Sequence, residues 1–230
     1  MTVKEVISLY KIVRKLVLNP AVTRLDVLAP AIARKAQPGQ FIILRVSDEG
    51  ERVPLTIADF DREAGTVTII FQAVGKTTTI LADMNEGDFI LDFVGPLGVA
   101  SHLEGYKRVA VIGGGLGTAI AYPQAKKLHE LGAQVDMIVG FRNKDLVILE
   151  EEMNAVSDRV IIMTDDGSNG HKGFVSDALK ARIEEGADYD LVVAIGPLIM
   201  MKVISNLARP YAIKTIVSMN PIMIDGTGMC

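Results

Sequence analysis

The stretch VAVIGGGLGTAIA, residues 109–121, runs from an unbroken apolar segment into Gly113, Gly114, Gly115 and Gly117. A run this apolar reads as a strand buried on both faces, and the alanine-rich continuation reads as a helix. Glycines at such a junction let the backbone approach a pyrophosphate closely and turn amide N–H groups toward it. The positive end of the helix dipole adds to the attraction. The dinucleotide fingerprint G-x-G-x-x-G is only partly met: Gly113 and Gly115 fit, and Thr118 stands at the third position. A tight strand-to-helix turn without any ligand is the competing reading.

Downstream of this junction, strand and helix signals alternate. QVDMIVGF, RVIIMT, YDLVVAIG and IKTIVSMN read as strands, whereas TAIAYPQAKKLHELG, DLVILEEEMNAVS (145–157), FVSDALKARIEEG and PLIMMKVISNLARP read as helices. That alternation predicts a parallel sheet between helix layers. Upstream the rhythm differs. VTRLDVLA, QFIILRVS, TVTIIFQAV and DFILDFVG are short and rich in β-branched and aromatic residues, with turns such as Pro38-Gly39 and Glu86-Gly87-Asp88 between segments. Strands at this spacing predict an antiparallel barrel. The change of rhythm falls within residues 95–107. The fold class is therefore α/β with two domains. An N-terminal antiparallel β-barrel covers 1–100 and a C-terminal parallel-sheet nucleotide-binding domain covers 101–222, with a short further segment over 223–230.

Composition narrows the function. Of 230 residues, 49% are apolar and 23% charged, and the net charge is −4. That is enough apolar material for a core, with no basic excess to attract nucleic acid. No apolar run reaches the roughly 18–20 residues of a membrane span. The best one, LVVAIGPLIMMKVI, is interrupted by Gly196, Pro197 and Lys202. The single cysteine excludes an internal disulfide, and the three scattered histidines offer no zinc-ligand spacing. A cytoplasmic protein with no nucleic-acid partner and no membrane span is expected. The string GKTT at 75–78 is not a P-loop, because G-x-x-x-x-G-K-[ST] needs a glycine where Ile70 stands.

PGQF (38–41), RVPLTIAD (52–59), VGKTT (74–78), GPLG (95–98), GGGLGT (113–118), TDDGS (164–168) and GPLIMM (196–201) occur in this order. As an ordered set they resemble the ferredoxin–NADP reductase superfamily over nearly the whole chain. Within it they resemble the alpha subunits of NADH-dependent reduced ferredoxin:NADP oxidoreductase, also called sulfide dehydrogenase beta subunits, and the related electron-transfer subunits of dihydroorotate dehydrogenase. The resemblance implies FAD on the barrel and NAD(P)H as substrate on the parallel-sheet domain. It also implies an oxidoreductase of ferredoxin–NAD(P)+ reductase type, whose partner is ferredoxin or a larger flavoprotein subunit with FAD and iron–sulfur centres.

The same resemblance assigns residues. Arg52 pairs with the FAD pyrophosphate, since a guanidinium suits paired phosphate oxygens. Pro54, Leu55, Thr56 and Ile57 line the flavin, with Thr56 at the reacting edge of the ring. Gly75, Lys76, Thr77 and Thr78 close over the pyrophosphate. A solvated strand-end charge at Arg52 and a helix N-cap cluster at Thr77 to Thr79 are the plainer alternatives. Gly113, Gly115, Gly117 and Thr118 face the nicotinamide dinucleotide. Gly196 and Pro197 follow a strand end, and Gly196 leaves room for the nicotinamide at the point of hydride transfer. Met200 shares a helix face with Val203, Ile204 and Leu207 and reads as core. Relatives often carry a cysteine just before this glycine. Here the residue is Ile195, so hydride transfer rests on positioning rather than on a neighbouring thiol.

Asp165 and Asp166 follow the third strand of the second half, where the adenine ribose sits in relatives. A carboxylate there accepts from a 2′-hydroxyl and repels a 2′-phosphate, which favours NADH. Arg142 and Lys144 pull the other way, and an ordinary Asp–Gly turn is the plainer alternative. The terminal DGTGMC (225–230) matches the spacing of the first two cysteines in the C-x4-C-x2-C of the dihydroorotate-type relatives. By that resemblance Asp225 and Cys230 are ligand positions of a [2Fe–2S] cluster. Such a cluster needs four ligands, so the chain reads as stopping inside the motif, and the cluster is expected in a full-length relative but not here. Two rival readings stand beside the reductase: a nucleotide-binding module without turnover, and a flavin-free short-chain dehydrogenase. The barrel half argues against the second.

Overall fold

In the computed structural model, which describes residues 9–219, the strand-rich first half forms one antiparallel sheet. Its elements are β1 (Tyr10–Asn19), β2 (Val22–Leu28), the single-turn helix α1 (Pro30–Ala33), β3 (Phe41–Arg45), β4 (Val53–Asp61), β5 (Thr66–Gln72), helix α2 (Lys76–Asp83), β6 (Phe89–Ile90) and β7 (Asp92–Leu97). The seven strands lie in the order β6-β1-β2-β5-β4-β3-β7. The two edge strands, β6 and β7, are separated in the chain by Leu91 alone. A sheet joined this way must curl, and it forms a nearly closed barrel. Period-2 alternation turns Ile12, Leu25, Ile42, Ile57, Ile69 and Phe71 into one core, which Ile32 of α1 and Leu81 of α2 help to fill. This first unit ends at Ala100.

The second unit begins at Ser101. It alternates β8 (Arg108–Gly114), α3 (Gly117–Glu130), β9 (Gln134–Phe141), α4 (Glu150–Ala155), β10 (Arg159–Thr164), α5 (Val175–Glu184), β11 (Leu191–Ile195), α6 (Leu198–Ala208) and β12 (Lys214–Val217). The sheet order is β10-β9-β8-β11-β12, with every pair parallel. The chain thus starts in the middle, winds out through β9 and β10, then returns to lay β11 and β12 on the other side of β8. That reversal leaves a crevice at the carboxyl ends of β8 and β11, where open parallel sheets receive ligands. No helix among the described residues is long and apolar enough to cross a membrane.

Several sequence expectations change. β1 lies in a stretch with no clean alternation, because register shifts between Ile12 and Arg14 and between Val17 and Asn19 break the period. DFILDFVG is two strands rather than one. Ile90 and Phe93 both enter the core, and a three-residue spacing cannot put both on one face of a continuous strand. The helix expected over 145–157 shrinks to Glu150–Ala155. Leu149 takes a left-handed backbone, with φ 60°, and Ile148 and Leu149 are buried ahead of the helix.

One buried polar cluster ties the second unit together. Asp136 on β9 accepts a hydrogen bond from the Tyr189 hydroxyl at 2.5 Å and from Arg182 Nε of α5 at 3.1 Å. Burial, then the bond to Asp136, raises the Tyr189 phenol above its ordinary pKa. The folded phenol keeps its proton where the unfolded one loses it. Its contribution is therefore complete below about pH 10 and declines as pH rises beyond that. Tyr189→Phe should cost about 1 kcal/mol at neutral pH and flatten the alkaline fall in stability. Urea unfolding at neutral and alkaline pH checks both; an unchanged alkaline slope removes Tyr189 as its source.

Candidate functional site

The glycine junction separates into packing positions and one open position. A Cβ on Gly117 would stand 2.4 Å from the Ile195 carbonyl oxygen, and one on Gly113 would stand 2.8 Å from Thr118 Cα. Both are glycine because α3 presses against the ends of β8 and β11, so the tight-turn reading accounts for them. It does not account for Gly115. That residue has φ 54° and donates its amide to the Gly140 carbonyl at 2.8 Å, and a Cβ there would meet nothing within 4 Å. Its bare backbone faces open space. Close by, Thr118 is fully buried, and its Oγ1 has no hydrogen-bond partner. Helix α3 carries no side-chain cap. The amides of Thr118 and Ala119 go to the carbonyls of Gly115 and Leu116, which leaves those of Leu116 and Gly117 ahead of the helix's own bonding ladder. Free donors, a helix N-terminus and an unshielded backbone together suit a phosphate.

On the β10 side, the amide of Asp165 donates to the Phe141 carbonyl at 3.0 Å, so this residue sits beside the end of β9. The two aspartates of TDDGS then diverge. Asp166 accepts from the Ser168 amide at 2.9 Å. Hydrogen bonds from Ser168, side chain first and then backbone, hold its carboxyl below the usual range. It is a turn residue, as the plainer alternative required. The Asp165 side chain is exposed and has no hydrogen-bond or ion-pair partner among the described residues. Arg142 and Lys144 are exposed on the neighbouring β9 loop, whose Lys144 amide donates to Ser168 Oγ at 2.8 Å. Phe174, absent from the sequence-derived set, is 65% exposed at the start of α5. The Gly173 amide donates to the Thr164 carbonyl at 3.1 Å, so Phe174 follows a residue tied to the same strand end that precedes Asp165. An aromatic where helices usually carry a polar cap is the signal that could have found it.

On the β11 side, Gly196 takes φ 156°. A Cβ there would stand 2.9 Å from Met200 Cε and 3.0 Å from the Gly114 amide nitrogen. A side chain at Gly196 would therefore meet both the flexible end of Met200 and the backbone of Gly114. The buried face of α6 is Met201, Ile204 and Ala208, while Val203 is 43% exposed. Of the four residues expected as core, Ile204 is buried, Leu207 and Met200 are half-buried, and Val203 faces out. Pro197 is exposed at the start of α6.

In the barrel, β4 begins just after Arg52. Alternation divides its expected flavin residues: Ile57 is buried in the barrel core and Leu55 packs against it, so Arg52, Pro54 and Thr56 fall on the opposite face. Leu55 and Thr56 cannot present side chains to one ligand, and Leu55 could offer only backbone. Pro54 is tolerated because it faces Ile43 of β3, while pairing with β5 begins only at Ile57. Arg52 lies 3.7 Å from Asp92, which also binds Arg45 at 2.7 Å. A pyrophosphate is thus not its sole available partner. Gly75 and Lys76 open α2 in exposed positions and Thr77 is buried. The Thr78 hydroxyl accepts from the amides of Val74 and Gly75 at 3.1 and 3.0 Å, so it does serve as a helix cap. Asp225 and Cys230 lie outside the described residues. Among the described residues no cluster of three or more His, Cys, Asp and Glu side chains could hold a metal.

No family model matches the chain. A protein of Clostridium beijerinckii known only as an uncharacterized protein in the adh 3′ region is 51% identical over 230 residues, which is 96% of this chain and 78% of that protein. A Thermotoga maritima homolog of the dihydroorotate dehydrogenase B (NAD(+)) electron transfer subunit is 44% identical over 223 residues, 97% of this chain and 78% of that one. Among solved structures, a chain of an NADH-dependent reduced ferredoxin–NADP oxidoreductase, described in connection with flavin-based electron bifurcation, superposes with a TM-score of 0.89 at 43% identity. That match covers 97% of this chain and 80% of the other.

The division within the glycine junction is open to test by stability alone. Gly117→Ala must push a methyl into the Ile195 carbonyl and should cost about 2–3 kcal/mol. Gly115→Ala meets open space and carries only the left-handed backbone penalty, about 1 kcal/mol. Thermal unfolding of the two variants should rank them in that order, and equal losses would mean that Gly115 is also held by packing.

Proposed function

Because this chain belongs to the family of dihydroorotate dehydrogenase B electron transfer subunits and their homologues, we propose that it oxidises NAD(P)H and passes the electrons to a larger flavoprotein or iron–sulfur partner, with FAD as its own cofactor. The observation that carries the reading is the unfinished bonding at the carboxyl edge of the parallel sheet: open backbone at Gly115, an orphaned hydroxyl on Thr118 and a free carboxylate on Asp165. Such a set fits a dinucleotide. The amides of Leu116 and Gly117 hold the pyrophosphate, Asp165 accepts from the adenine ribose, and the exposed ring of Phe174 offers the adenine a stacking face. On the barrel, the outward face of β4 fits a flavin. Arg52 supplies the charge for the pyrophosphate, Pro54 and Thr56 line the ring, and Gly75 brings bare backbone to the start of α2. Bound flavin supplies the ability to take electrons in pairs and release them singly. The partner accepts those electrons, ferredoxin being the soluble alternative to a larger subunit.

Purified chain should show flavin absorbance that bleaches on anaerobic addition of NADH and should reduce ferricyanide. A preparation that neither carries nor takes up flavin, and has no dye activity, sinks the reading.

The free carboxylate of Asp165 predicts a preference for NADH over NADPH. Asp165→Ser should narrow the ratio of kcat/KM values by about tenfold. A wild-type preference for NADPH would move the assignment to Arg142 and Lys144.

Arg52→Ala should cost about 1.5–3 kcal/mol of FAD binding with little change in apo-protein stability, because Asp92 keeps its closer partner, Arg45. Equal losses of both would make Arg52 a partner of Asp92 rather than of a phosphate.

A further inference from the structure

The sequence LIMM opens α6 with four apolar side chains, and the structure sends them in three directions. Leu198 and Ile199 are 66% and 69% exposed, and Met201 is buried in the core below the helix. Only Met200 reaches back over the strand ends. In the first turn of a helix a side chain leans toward the N-terminus and covers the backbone before it. Here that backbone is Gly196, at the end of β11, and Gly114, at the end of β8. A Cβ added at Gly114 would lie 2.6 Å from Met200 Sδ, and one at Gly196 would lie 2.9 Å from its Cε. The thioether lies across both glycines, beside Pro197 Cδ at 2.9 Å from the Gly114 position and the Gly114 backbone at 3.0 Å from the Gly196 position. Met200 is half-buried, so part of it also faces away from them.

A dinucleotide carries its pyrophosphate in the middle. With the phosphates at Gly115 and the adenosine toward Asp165 on the β10 side, the nicotinamide has one direction left along the sheet edge: toward β11, past Gly114. We propose that the Met200 thioether is the wall on which the nicotinamide ring rests, and so a substrate-contacting residue; this deepens the NAD(P)H reading above. A thioether suits a flat ring, being polarizable, unbranched and able to adjust.

The test uses the flavin-loaded chain labelled with 13C at methionine methyls. The resonance missing from Met200→Leu identifies Met200. It should move on addition of NAD+, through the ring current of the nicotinamide, and stay in place with ADP-ribose, which has no nicotinamide. In turnover, Met200→Ala should lower kcat for NADH about tenfold by loosening ring position, Met200→Leu should recover most of it, and ADP-ribose affinity should hold in both. A Met200 methyl unmoved by NAD+, in a protein that binds ADP-ribose, overturns the proposal alone. So does an equal loss of ADP-ribose affinity in Met200→Ala, which would make Met200 a support for the glycine loop. Failure to bind either nucleotide overturns the nucleotide reading beneath it. If Met200→Ala does not fold, the methyl shifts in the wild-type protein still decide.

Discussion

Three backbone segments of the parallel-sheet unit meet where no side chain fits. The end of β8, the start of α3 and the turn after β11 approach so closely that a Cβ on Gly117 would overlap the Ile195 carbonyl oxygen at 2.4 Å. This contact seats α3 directly over the two central strands. With the helix pinned there, the chain after β8 has only Gly115 and Leu116 in which to turn. It does so through the left-handed backbone of Gly115, and the turn leaves the amides of Leu116 and Gly117 ahead of the helix's own ladder. The free carboxylate on one side and the thioether on the other are placed by strand order relative to that point.

The barrel depends on a different constraint, the strict alternation of side chains along β4. Ile57 and Leu55 face the core, so the residues between and before them are committed to the other face. This is why a string such as RVPLT can be half structural and half available to a ligand. The same strand escapes β5 at its start, which lets a proline sit in a paired strand without leaving a hydrogen bond unmade.

The parts of the fold legible in the sequence are those where one physical rule acts alone. QVDMIVGF and RVIIMT match β9 and β10 residue for residue, because strands covered on both sides by helices need no pattern beyond continuous apolarity. Where two rules compete, the pattern misleads. Register shifts hide the period of β1, and Ile148 and Leu149 give up helical backbone to bury their side chains. In the candidate site the glycines are legible as a class, yet the sequence cannot tell which are held by packing and which stand open, since that depends on segments distant in the chain. Met200 packs against the core, as its period implies, and also covers the ends of β8 and β11. Helical period assigns a face, but the lean of first-turn side chains decides what that face covers.

Within this chain, chemically similar residues are separated by whether their bonding is complete. Asp166 satisfies its carboxylate on Ser168, whereas the adjacent Asp165 satisfies none of its own. The Thr78 hydroxyl closes the start of α2, whereas the Thr118 hydroxyl, at the equivalent end of α3, is buried without a partner. A buried unmade hydrogen bond costs about 1–3 kcal/mol, and a folded chain retains such a cost where something outside it completes the bond. Asp165, Thr118 and the open backbone of Gly115 lie at the carboxyl edge of one sheet; Asp166 shares that edge with its bonding complete, and Gln124 Oε1 is unpaired away from it, within α3. The proposed dinucleotide reading rests on Asp165, Thr118 and Gly115 taken together rather than on any single motif.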